Sequence, residues 1–71
     1  MRPINPNKLL HSKWTAVTPR NREKHFLVID LVRNEHETVV ECIIEAVMSK
    51  RAVTLPWREL KNVEVWHQGW H

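Results

Sequence analysis

From His25 to Arg33 almost every position is apolar: Phe26, Leu27, Val28, Ile29, Leu31 and Val32, interrupted by Asp30. Dense β-branched and aromatic residues predict a strand. Leu27, Ile29 and Leu31 share one face, and Phe26, Val28 and Val32 share the other. A strand apolar on both faces suits one that bends and serves two parts of a small barrel. Asn34–Glu37 reads as a turn. Residues 38–48 carry two patterns at once. As a strand, Val40, Cys42, Ile44, Ala46 and Met48 point inward, with Glu41 and Glu45 outward beside Val39, Ile43 and Val47. As a helix, the pairs Val39/Val40, Ile43/Ile44 and Val47/Met48 make a stripe, and Thr38 with Glu41 fits a capping box. Six of those eleven residues are β-branched, and the preceding strand ends at hairpin distance, so strand is expected.

The remaining segments are shorter. Lys13–Val17 predicts a strand that stops before Pro19, and Pro19–Glu23 a polar loop. Ser49-Lys50 is the next turn, and Ala52–Leu55 a returning strand. Pro56 suits the first position of a helical turn, Trp57–Lys61, which Asn62 closes in a left-handed conformation. Val63–Trp66 is the last strand, and Gly69 permits a bend before Trp70. Residues 1–7, with Pro3 and Pro6, should be irregular, and Lys8–Ser12 can form a helical turn. The expected fold is mostly β. It is a small five-stranded antiparallel SH3-like barrel with one short helical turn near residues 56–61, in a single domain over residues 1–71.

A chain of 71 residues that is 42% hydrophobic and 27% charged is globular in composition. At this length folding hides only about 60% of the unfolded surface, so each large apolar side chain counts. Four tryptophans bear on that problem, three of them (Trp57, Trp66, Trp70) in the last fifteen residues. One cysteine, Cys42, excludes an internal disulfide. There is neither a membrane-length apolar run nor the apolar core of a signal peptide, so a cytoplasmic protein with no membrane partner is the default expectation. The net charge of +3 is unevenly spread: residues 1–29 hold six basic groups against one acid, and residues 30–71 five against seven. A basic first half can meet phosphates, or simply keep the surface solvated.

Considered together, Ser12-Lys13-Trp14-Thr15-Ala16, Lys24-His25-Phe26, Glu45-Ala46-Val47, Trp57-Arg58-Glu59-Leu60, Trp66 and Gly69-Trp70 resemble a small bacterial tryptophan-rich family of conserved hypothetical proteins. The resemblance covers about residues 8–70. The family often has aspartate where this chain has Asn62. The resemblance implies no catalytic or binding residue.

Enzyme chemistry has little to stand on. Cys42 and His25 are the one nucleophile–base pair worth naming, and Cys42 falls on an inward face, where free cysteine is commonly a small buried hydrophobe. A phosphate-binding glycine loop is excluded, because Gly69 is the sole glycine. His67 and His71 are four apart but flank Gly69 in a segment unsuited to helix, so no metal and no cofactor is expected. Binding is the better class. Small barrels hold single strands by stacking bases on aromatics and guiding phosphates with Lys and Arg. The candidate partner-binding residues are therefore Trp57, Arg58, Trp70, Arg20, Arg22 and Lys24, with Trp57 and Trp70 the indoles expected to be exposed. The expectation is a non-catalytic binding or adaptor module for single-stranded RNA or DNA. The alternative is a module that binds a peptide or protein in a tryptophan-lined groove, or self-associates through it.

Overall fold

The computed structural model describes residues 4–71. Five antiparallel strands form one sheet: β1 (Lys13–Arg20), β2 (Glu23–Arg33), β3 (Val39–Ala46), β4 (Ala52–Pro56) and β5 (Trp66–Gln68), in the order β4-β3-β2-β1-β5. A 3₁₀ turn over Trp57–Lys61 links β4 to β5. The mostly β reading holds, and the ambiguous segment is strand. Part of the irregular opening expected over residues 1–7 lies outside the described residues. Within it, Pro6–Lys8 is a 3₁₀ turn, earlier than the expected Lys8–Ser12, and the Asn5 side chain accepts a hydrogen bond from the Asn7 amide at its start.

Two bulges set which side chains face inward. Val28 pairs with Ile44 and Asp30 with Ile43, so Ile29 has no partner across the ladder. An extra residue flips the phase of the strand and bends it. Phe26 and Val28 face the core before the bulge, and Leu31 packs against it afterwards. This is why β2 is apolar on both faces. Near the other end, Val32 pairs with Glu41 and Arg33 with Val39, which leaves Val40 out of register. Val39 is therefore 3% exposed and Val40 39%. Simple alternation had placed these two the other way round. Met48, expected inward, is 86% exposed because the chain has already left β3 at Ala46.

β1 extends to Arg20, through Pro19. Proline is tolerated there because β1 leaves its register with β2 between Thr15 and Arg20. The expected loop contracts to a two-residue turn, with Asn21 at φ 55° and Arg22 at φ 62°. Positive φ at both central residues matches the twist of the flanking strands, and asparagine tolerates it better than arginine does. Asn62 is extended (φ −78°, ψ 100°) rather than left-handed. Its carbonyl accepts from the Val65 and Trp66 amides, so residues 63–65 form a turn and β5 starts only at Trp66.

The core comprises Trp14, Phe26, Val28, Val39, Cys42, Ile44, Ala46 and Leu55 from the sheet, with Trp57 and Leu60 from the 3₁₀ turn. Leu9 of the N-terminal segment is 2% exposed and belongs to the same cluster. The bulge makes a direct test available. Val39→Ala should cost roughly 2 kcal/mol in urea unfolding, the loss expected for deleting buried methyls. Val40→Ala should cost well under about 1 kcal/mol, as at an exposed strand position. Equal costs would contradict the register.

Candidate ligand-binding groove

β1 pairs with β2 at Lys13–Thr15 and meets it again only at Arg20 opposite Glu23. Between these points β1 keeps company with the other side: Ala16 pairs with Trp66, and the Val17 amide donates to the Val65 carbonyl at 2.8 Å. The parting of β1 from β2 leaves a groove of about 420 Å³. Ala16 and Thr18 line it and are too small to fill it. Phe26 and Trp66 also line it, edge to face with ring centroids 5.2 Å apart. Arg20 and Arg51 bring guanidinium groups from two different hairpins.

Arg51 is held in place by Glu23, a carboxylate only 5% exposed. Arg51 Nε donates to both Glu23 oxygens at 3.0 and 3.1 Å, and Nη2 donates to Oε1 at 2.6 Å. Ser49 Oγ donates to Oε2 at 2.5 Å. This fork-on-carboxylate geometry fixes the guanidinium plane. The hydrogen bonds from Arg51 and then Ser49 hold the Glu23 carboxyl below the usual range, against the opposing effect of burial. Among the described residues, Arg51 Nη1 makes no side-chain hydrogen bond. It is the free corner of an otherwise fixed cation.

The residues singled out from the sequence do not converge. Arg20 lines the groove, and Arg22 and Lys24 are exposed beside it on the β1–β2 hairpin. Trp57, expected to be exposed, is 8% exposed and lies in the core. It buries because the 3₁₀ turn folds back onto β3, with Arg58 Cζ 5.0 Å and Lys61 Nζ 5.8 Å from its ring. Trp70 is 43% exposed, as expected, but it is a pinned residue on the opposite side of β1. Gly69, at φ 87°, turns the chain back over the sheet. Thr15 Oγ1 donates to the Gly69 carbonyl at 2.6 Å and accepts from the His71 amide at 3.0 Å. Trp70 Nε1 donates to the Phe26 carbonyl at 2.9 Å, and Lys13 Nζ stands 4.8 Å from the ring.

Glu23, Ser49 and Arg51 were missed as site residues, and Trp66 was expected only among the tryptophans of the alternative peptide groove. Glu23 and Arg51 are far apart in sequence, and no local pattern couples them. Cys42 is fully buried, and desolvation pushes its thiol up to about 11. It faces the core, whereas His25 packs against Trp70 with ring centroids 5.9 Å apart. Among the described residues, no group of three or more His, Cys, Asp or Glu is placed to hold a metal, and no helix is long and apolar enough to cross a membrane.

These features define a small antiparallel β module with an arginine-flanked, aromatic-lined groove. Sequence comparison supplies the family. Residues 12–71 match the family described as "Tryptophan-rich protein (DUF2389)", and the chain belongs to it. All four tryptophans fall within the matched span. No curated protein and no solved structure matches the chain.

Two measurements check this geometry. A depressed carboxyl stabilises the fold above its unfolded pKa, about 4.3 for glutamate, and loses that contribution as pH falls through the folded value. Glu23→Gln should lower the urea midpoint at pH 7, and its difference from the parent protein should shrink as the pH drops below 4.3. Separately, iodide should quench chiefly Trp70, so Trp70→Phe should remove most of the quenchable fluorescence.

Proposed function

We propose that this protein is a non-catalytic binding module that takes single-stranded RNA or DNA at the groove between β1 and β2. The observation that carries this reading is the pairing of Arg20 and Arg51 with Phe26 and Trp66 in one cavity. Phosphate needs fixed cations, and a base needs an apolar or aromatic surface. Arg22 and Lys24 extend the positive charge along the rim, and Glu23 is already occupied by Arg51, so it repels little. Glu64 is the remaining acid of the lining.

The same reading takes the sheet as an SH3-like barrel. β5 returns beside β1 after a 3₁₀ turn, and the bulges give β2 and β3 the curvature that such a barrel needs. In that view the groove is the barrel's open flank. A second reading, capture of an apolar peptide, draws on Val17, Val63 and Val65, which are exposed near the groove.

Salt separates the two. A short single-stranded oligonucleotide should quench Trp66 emission, and its affinity should fall steeply between about 50 and 200 mM salt as counterions are released. Arg20→Ala should weaken binding and reduce the salt slope by about one. Unchanged fluorescence at low salt would end this reading, and salt-independent binding of an apolar peptide would favour the second.

A further inference from the structure

Resting on the nucleic-acid reading, we propose that the groove is a one-nucleotide pocket: a single unstacked base enters between β1 and β2, and its phosphate is clamped by Arg20 and Arg51. Three observations carry this. The volume, about 420 Å³, is of small-molecule size, not that of a channel for several stacked bases. The aromatic wall is recessed. Phe26 is 5% exposed and Trp66 half-buried, so a base must enter to touch them instead of lying across an open platform. Finally, the cations differ in kind. Arg51 is locked by Glu23 with Nη1 free, whereas Arg20 stands on the hairpin end without such a partner among the described residues. One fixed and one adaptable guanidinium can grip a phosphate from two sides, as planar forks do.

Thr18 makes the pocket testable without touching charge. It lines the groove and is exposed, so Thr18→Leu fills space at little risk to folding. The experiment is an NMR titration of the labelled protein with adenosine and uridine 5′-monophosphates, the free nucleosides, inorganic phosphate and an acidic peptide. Mononucleotides should shift the amides of residues 16–18, 20 and 51 and the Trp66 indole. Thr18→Leu should weaken them at least tenfold, and Arg51→Lys should weaken them while leaving the net charge unchanged. Equal affinity for inorganic phosphate and mononucleotide would overturn the base pocket, as would indifference to Thr18→Leu. If mononucleotides miss the groove while an oligonucleotide still binds and responds to Arg20→Ala, the one-nucleotide pocket fails and the nucleic-acid reading stands. If the oligonucleotide fails too, both fall. Tighter binding of the acidic peptide at the same signals overturns both in favour of a protein ligand.

Discussion

The bulge at Ile29 is the constraint on which this fold rests. The five strands lie in one sheet, and in so short a chain that sheet must bend around a core which the 3₁₀ turn and Leu9 complete. A regular β2 would bury the same face along its whole length. The extra residue at Ile29 lets Phe26 and Val28 enter the core near β1, and Leu31 support it further along. The second bulge, at Val40, does the same for β3 and brings Val39 inward. Strand curvature here is produced by insertion, and the residues displaced to solvent are ordinary branched aliphatics.

The groove follows from the opposite behaviour in β1. That strand pairs with both β2 and β5 at Trp14 and Thr15, then leaves β2 while Ala16 and Val17 stay bonded to the β5 side, so β1 and β2 part. Large residues at Ala16 and Thr18 would close the gap, and small ones leave it open. The Glu23–Arg51 pair then ties the β1–β2 hairpin to the β3–β4 turn beside the groove. An exposed ion pair contributes little to stability in general. This one differs in having a nearly buried carboxylate, a bidentate fork and a hydroxyl donor, and its consequence is positional: it holds the guanidinium of a groove-lining residue in one orientation.

The tryptophans divide the labour. Trp14 and Trp57 are core residues, each removing on the order of 150–250 Å² from water. Trp66 stands half-buried between core and groove, in contact with Phe26. Trp70 seals the outer face over Thr15 and pins the last residues to β1 and β2. A residue type that dominates the sequence thus has no single role, and only one of its four copies lines the groove.

The locations of β2, β3 and β4, the antiparallel order and the 3₁₀ turn were legible in the sequence, because they follow from local propensity: branched runs, a proline before Trp57, and turn-length gaps; the limits of β1 and β5 were not. The arginine and lysine of the first hairpin were legible as a cluster for the same reason. Register was not. Alternation assumes one residue opposite one residue, and a bulge is decided by how two strands pack, not by either alone; this is how Val39 and Val40 exchanged places. The burial of Trp57 likewise depended on where its turn would land. Above all, Glu23 and Arg51 carry no mutual signal along the chain. Only the pairing of β2, β3 and β4 in one sheet brings them to hydrogen-bond distance, and the groove exists because tertiary packing separates β1 from β2 at residues that look like ordinary strand.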